Sequence, residues 1–274
     1  MLKEDDFKND EIKGINVTDL NRHLNKFNRR VNDIYIDTLS ITRLLHNALG
    51  KTESKLWNFK DKTNISVPST GGTANIKRNS KQIKAIFENA EMYGQWEKSL
   101  IVTISLTEDF IASFIRLVLR SKPIMIMNSI KNQEGKLSVG LADIINKGSE
   151  LIIEEQISGR VSNAIYASPR EYGKYLEALL CCELGEDLLG SYIEIKARRD
   201  IIIHASGIVN RQYLDKAGKY GKDAKAGDVL KVHQAYYEES LRSIKRFSKS
   251  LHVHMLKKYG DDGDVRKVID TKGF

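Results

Sequence analysis

Proline occurs three times in 274 residues. An interior proline removes a backbone donor and clashes with the preceding turn, so it breaks helices. Its scarcity leaves room for long uninterrupted helices, and the apolar spacing uses that room. Thr18 can serve as an N-cap. After it Leu20, Leu24, Phe27, Val31, Ile34, Thr38, Ile41, Leu45 and Leu49 recur at spacings of three and four, up to Gly50. The pattern predicts one long amphipathic helix, with Arg22, Lys26, Arg29 and Arg30 off its apolar stripe. Residues 51–78 break the pattern. Pro68, Gly71 and Gly72 cluster there with small polar residues, which reads as a loop and a boundary. The glycine pair is no phosphate loop, because no Gly-Lys-Ser/Thr follows it.

Helical periodicity resumes at Ser80 and runs through Ile83, Ile86, Phe87, Leu100, Ile104, Ile111, Phe114 and Val118 to about Ser121. Gly94 marks a kink, and Pro123 ends the segment. Shorter helices are expected at 138–147 and 149–158. Ser168-Pro169-Arg170-Glu171 carries a start signal: a Ser cap, Pro in the first turn and Glu at the capping-box position. That helix reaches Cys182. The next is expected from Glu186 to Ala205 with Gly207 as its stop, and Asp228 can cap a last helix ending at Tyr259. Three short apolar runs remain, at 65–67, 124–127 and 200–204, and only IMIM (124–127) is a serious strand candidate. The expected class is all-α: an N-terminal long helix and linker loop (1–78), a helical bundle (79–260) and a flexible tail (261–274).

Composition narrows the setting. No apolar run approaches the ~18 residues of a membrane span, and the charged N-terminus lacks the apolar core of a secretory signal. The two cysteines, Cys181 and Cys182, are adjacent and make no disulfide framework. A cytoplasmic protein with no membrane contact is expected, with Cys181 and Cys182 as core thiols. Trp57 and Trp96 are expected to fill the core or the join between the two parts. The net charge is +8, which points toward a polyanion. The charge is uneven. Residues 194–225 hold eight Lys/Arg against four Asp/Glu, and residues 240–260 hold six Lys/Arg and no acid. His252 and His254 are two apart on a helix and make a poor metal pair, so no metal or other cofactor is expected.

The chemistry concentrates in EIKARRDIIIHASGIVNRQYL (194–214), which places Arg198, Arg199, Asp200 and His204 within seven residues. On a helix Asp200 and His204 lie four apart on one face. The carboxylate can then bond one imidazole nitrogen and leave the other free. Arg199 sits about 140° round the helix from His204. Two such helices packed across a dimer axis would set two His and two Arg around one groove. That set suits RNA cleavage. A neutral imidazole can take the 2′-hydroxyl proton, and an Arg fork can hold the phosphate. Such cleavage leaves a 2′,3′-cyclic phosphate and a 5′-hydroxyl, and needs no metal. Ordinary ion pairing of these charges on a helix surface is the competing explanation.

Arg-x4-His with a polar residue directly after the Arg, here Arg199-Asp200-Ile201-Ile202-Ile203-His204, resembles the signature of HEPN domains. The run 194–214 is similar to the E-x-x-x-RRN-x-x-VH-x-x-G-x-V-x-x-x-YL run of a bacterial branch resembling RiboL-PSP-type HEPN proteins. SLIVTISLTEDFIASFIRLVL resembles the first family helix, with Glu108 at its usual acid. EYGKYLEALL and AGDVLKV also fit, and the resemblance spans residues 95–256. It implies a bundle of four to five helices that dimerises through the motif helices. It also implies a metal-independent endoribonuclease of toxin–antitoxin, abortive-infection or phage-defence type. Carried over, Arg199 and His204 are the catalytic pair, with Asp200 and Glu108 in support. Lys196, Arg198, Asn210, Tyr213, Arg242 and Lys245 are the candidate RNA contacts. The expected partners are RNA, a second copy, and an antitoxin or defence protein. Asp200 replaces the commoner Asn, and Ala205 replaces a commoner polar residue. Non-catalytic members that bind RNA, nucleotide or protein supply the alternative reading.

Overall fold

The computed structural model describes residues 16–50, 63–129, 141–167, 169–180, 182–221 and 224–259. The described residues form an all-α molecule carrying one two-stranded hairpin. Helix α1 (Val17–Gly50) buries Leu20, Leu24, Phe27, Val31, Thr38 and Thr42, which is the expected stripe in its first two-thirds. It starts slightly before Thr18, because Asn16 supplies the carboxamide that accepts the Asp19 amide. Gly50 is its last residue.

The segment expected as a loop is instead a hairpin, β1 (Thr63–Ser69) and β2 (Gly72–Arg78), in antiparallel register from Thr63↔Arg78 to Ser69↔Gly72. Gly72 has φ 126° beside the tight turn, a conformation that favours glycine. The hairpin is too small to have its own core and stands largely exposed. Pro68 is tolerated in β1 because a two-stranded ribbon has only edge strands.

Helix α2 (Ser80–Asn89) opens on a capping box built by Asn79 and Gln82. It continues through a π-turn, Ala90–Gly94, into α3 (Gln95–Ser121). The irregularity expected at Gly94 is this extra residue in the helical ladder. IMIM is not a strand: Pro123–Ser129 is a 3-10 helix. The two short helices expected around residue 148 are parts of α4 (Leu141–Tyr166), bent where Gly148 takes φ 73°. Helix α5 (Pro169–Leu180) begins after Ser168, whose capping role, like Cys181, lies outside the described residues. Helix α6 (Glu186–Ala205) matches its expected span. Helix α7 (Arg211–Ala217) leads into a 3-10 turn, Gly218–Gly221. Asp228 does not cap the last helix. Helix α8 (Gln234–Tyr259) starts later, where the His233 ring accepts the Tyr236 amide.

Helix α3 is the axis of the molecule. It packs against α1, α4, α6 and α8 and buries Trp96, Leu100, Ile104, Ile111, Phe114 and Val118. Fully burying a side chain of this kind stabilises by about 1.5–3 kcal/mol. One hydrophobic cluster includes α1 through Leu20, Leu24, Phe27 and Val31, so the core runs across the boundary drawn at residue 78. Trp96 lies in that core between Tyr35 of α1 and Tyr237 of α8, whereas Trp57 lies outside the described residues. Buried hydroxyls also tie the helices: Thr38 to Ser99, and Thr103 to Tyr237 at 2.8 Å. A smaller cluster of Ala197, Ile201, Val209, Tyr213 and Ala217 seats the end of α6 on α7.

Candidate functional site at the end of helix α6

The end of α6 is fixed by its cap. Ser206 and Gly207 take φ 52° and 80°, and the Gly207 amide donates to Ile201 O at 2.9 Å, which stops the helix. The chain leaving it pairs with residues 227–230. Val209 N donates to Asp228 O at 2.8 Å, and Leu230 N to Gly207 O at 2.9 Å. A β-carbon on Gly207 would sit 2.7 Å from Leu230 O. Glycine is therefore required twice over, by its backbone angle and by the close approach.

One side of α6 closes a cavity of about 390 Å³. Its charged lining is Glu108 from α3, Lys196, Arg199 and Asp200 from α6, and Lys216 from α7. Arg199 donates to Glu108 Oε1 at 3.1 Å, and Lys196 pairs with the same oxygen at 2.9 Å. Asp200 pairs with Lys216 at 3.1 Å. Arg199 Nε lies 3.1 Å from Asp200 Oδ1, yet this buried nitrogen makes no aligned hydrogen bond. Tyr172 forms part of the wall, with Lys196 Nζ 5.1 Å from its ring centre. Three cations against two carboxylates leave the lining one positive charge in excess, with its groups held by one another.

His204 lies one turn beyond Asp200 on the same face of α6. It is exposed and makes no hydrogen bond or ion pair among the described residues. The expected Asp200–His204 bond is absent among the described residues, and the carboxylate accepts from Lys216 instead. The structure thus brings Glu108, Lys196, Arg199 and Asp200 together in the cavity lining, whereas His204, one turn beyond Asp200, does not line it. Exposed Ile203, Ile208 and Val229 lie beside the histidine in the chain or across the short backbone pairing.

The other candidates lie apart. Arg198 is on a different side of α6, where its Nε donates to Glu194 at 3.0 Å and its guanidinium lies 3.9 Å from the Tyr236 ring centre. Glu194 is 6 % exposed and also accepts Tyr213 OH at 2.7 Å and Tyr236 OH at 2.8 Å. Burial first, and Glu194 second, push the hydroxyls of Tyr213 and Tyr236 well above the ordinary tyrosine range. Tyr213 has no free face to offer a base, being 1 % exposed, so its expected RNA contact is replaced by a core role. Asn210 caps α7 by accepting the Tyr213 amide. Arg242 pairs with Glu238 and Glu239 on its own helix. Lys245 donates to Asn32 of α1 at 2.6 Å, and burial draws its ammonium below lysine's usual value.

Sequence reasoning missed Glu194, Tyr236, Tyr172 and Lys216. The spacing of Glu194 and Arg198, four apart, was a readable signal for an ion pair. Nothing local marks the other three: Tyr172 and Lys216 reach the cavity from α5 and α7, and Tyr236 of α8 meets Arg198 and Glu194 on the other side of α6.

The fold and the site define an all-α bundle with a charged, half-enclosed cavity and an exposed histidine one turn beyond it on α6. Comparison with family models, with curated proteins and with solved structures finds no match for this chain. Among the described residues, no helix is long and apolar enough to cross a membrane.

Proposed function

We propose that the chain is a HEPN-type, metal-independent endoribonuclease that works as a homodimer, in a toxin-like or phage-defence role. The observation that carries this reading is the division of labour along the last turns of α6. Arg199 is held by its bond to Glu108, while His204, one turn beyond Asp200, is exposed and without a bonding partner among the described residues. In the proposed reaction the neutral imidazole takes the proton of a ribose 2′-hydroxyl. The 2′-oxygen then bonds to phosphorus as the bond from phosphorus to the 5′-oxygen breaks, and that oxygen leaves with a proton. Arg199 answers the charge growing on the phosphate. A second copy facing the same groove would bring a second imidazole to protonate the leaving oxygen. Exposed Ile203, Ile208 and Val229 beside His204 support such pairing.

One observation favours a second reading. The carboxylates of Glu108 and Asp200 already occupy the cations of the cavity, and an incoming phosphate must displace them. A non-catalytic HEPN module that binds RNA, nucleotide or protein is consistent with that balance.

A single assay decides between the two. Purified protein is incubated with total RNA in EDTA beside His204→Ala. The enzyme reading expects cleavage by the wild type, 2′,3′-cyclic phosphate ends, and a loss of at least about 100-fold in the variant. Equal cleavage by both proteins, or none under any activating condition, overturns it.

A further inference from the structure

Two acid-free stretches, distant in sequence, lie side by side. Residues 20–32 of α1 and 240–259 of α8 together hold ten Lys and Arg and no Asp or Glu. Helices α1 and α8 are in contact. Tyr35 bonds to Glu238 and Asn32 to Lys245, so residue numbers rise along one as they fall along the other. The helices are antiparallel, and this order sets the basic half of α1 beside the basic half of α8. Opposing acids from elsewhere are few. Asp19 holds Arg22 at 2.7 Å, Asp109 holds Arg30 at 3.6 Å, Glu238 and Glu239 hold Arg242 at 3.5 and 3.0 Å, and Glu239 also reaches Arg246 at 3.6 Å. Lys26, Arg29 and Lys257 are exposed and make no ion pair among the described residues. On α1, Lys26 and Arg29 face away from buried Leu24, Phe27 and Val31. Asn25, Asn28 and Asn32 recur at spacings of three and four on the side where Asn32 meets Lys245. Carboxamides beside ammonium and guanidinium groups are the set that binds phosphate oxygens and sugars without reading bases.

This surface is remote from the α6 cavity. Tyr192 stacks on Phe247, and Arg198 lies over Tyr236, so α6 and α8 also run antiparallel. His204 is therefore carried beyond the start of α8, and the basic half of α8 points the other way. At 1.5 Å per residue the two places are separated by roughly 25–40 Å along α8.

We propose that the outer face of the α1–α8 pair is a second, sequence-independent surface for the phosphate backbone of RNA, distinct from the α6 site. The choice of RNA rests on the reading of the α6 site as a ribonuclease; the polyanion chemistry rests on α1 and α8 alone. A stacked strand rises about 3.4 Å per phosphate, so roughly 8–12 stacked nucleotides bridge the two places. The surface then acts on long RNA and not on short RNA.

The test uses the full chain with labelled single-stranded RNAs of about 6 and about 30 nucleotides, measured by fluorescence anisotropy between about 50 and 200 mM salt. The variant Lys26→Glu/Arg29→Glu/Lys257→Glu is compared with the charge-matched control Lys77→Glu/Lys81→Glu/Lys84→Glu. Expected is a loss of at least about tenfold in binding of the long RNA, with a salt slope shallower by about two. The short RNA and the control are expected to show little change. Circular dichroism of each variant checks folding, and a version with Gln at the same three α1–α8 positions covers a reversal that fails to fold. Unchanged binding of the long RNA overturns the proposal. So does an equal loss in the control, or displacement of RNA by poly-glutamate as effective as by unlabelled RNA. Loss of His204-dependent cleavage of the short RNA is a separate readout. If cleavage is absent but the binding pattern holds, the ribonuclease reading fails and this surface stands.

Discussion

Glu194 shows how one residue can hold a region without touching the candidate site. Its two oxygens accept from Arg198, Tyr213 and Tyr236, so a single buried carboxylate links α6 to α7 and α8. Removing one member of a buried ion pair leaves the other charge uncompensated, which destabilises by about 3–5 kcal/mol. Glu194→Gln is expected to lower stability by about that amount in urea denaturation. Glu194→Gln/Arg198→Met is expected to recover a large part of it, because the stranded guanidinium is gone. Additive losses in the double variant would show that the pair is not coupled. The same residues explain a limit of sequence reading. Arg198 and Arg199 are neighbours of identical type, and only packing tells them apart: one is seated on Tyr236, the other faces the cavity.

At the scale of elements, the close of α6 controls where His204 stands. Gly207→Ala would place a methyl group 2.7 Å from Leu230 O at a backbone angle of 80°. The strain of a left-handed residue and the broken pairing together are expected to destabilise by about 1–3 kcal/mol. Hydrogen exchange at the Val209 and Leu230 amides should accelerate before exchange in α3 does. Unchanged protection at those two amides would show that the pairing tolerates the methyl group. This stop was legible, because a glycine after a periodic run has one common meaning. The start of α8 was not. Asp228 looks like a cap in sequence, yet its carboxylate accepts the Lys225 amide within a turn, and its backbone carbonyl is taken by Val209. The hairpin was missed for a related reason. Gly71, Gly72 and Pro68 are the residues of loops and of tight turns alike, and only pairing of Ile65 with Ile76 across the turn separates the two. Of the candidate site, Arg199, Asp200 and Glu108 were legible from the motif and its flanks. Lys216 was not, because α7 reaches the cavity only through tertiary packing.

At the scale of the whole molecule, the packed helices bury a histidine that no described residue satisfies. His252 of α8 is fully buried, and neither ring nitrogen has a hydrogen-bond partner among the described residues. Burial disfavours the charged ring and pulls its pKa from 6.5 to about 4. The sign of the consequence follows from proton uptake. Above pH 6.5 the ring is neutral in both states, and its contribution to stability is flat. As the pH falls toward 4 the unfolded chain binds a proton that the folded chain refuses, so the unfolded state gains. The loss reaches roughly 3 kcal/mol by the lower end of that window. Carboxylates held below their ordinary values, such as Glu238, act at lower pH, because their stabilising effect fades only as they protonate. The upper part of the range from pH 6.5 to 4.5 is therefore set by the histidine, with carboxylates joining toward its lower end. His252→Leu removes the titrating ring and two unsatisfied atoms while keeping an apolar side chain of similar size. Its urea midpoint is expected to exceed that of the wild type at pH 7, since burying an unpaired polar group costs about 1–3 kcal/mol. Its stability should also fall less steeply from pH 6.5 to 4.5 than that of the wild type. A parallel decline in both proteins would mean that other groups set the acid sensitivity of the bundle.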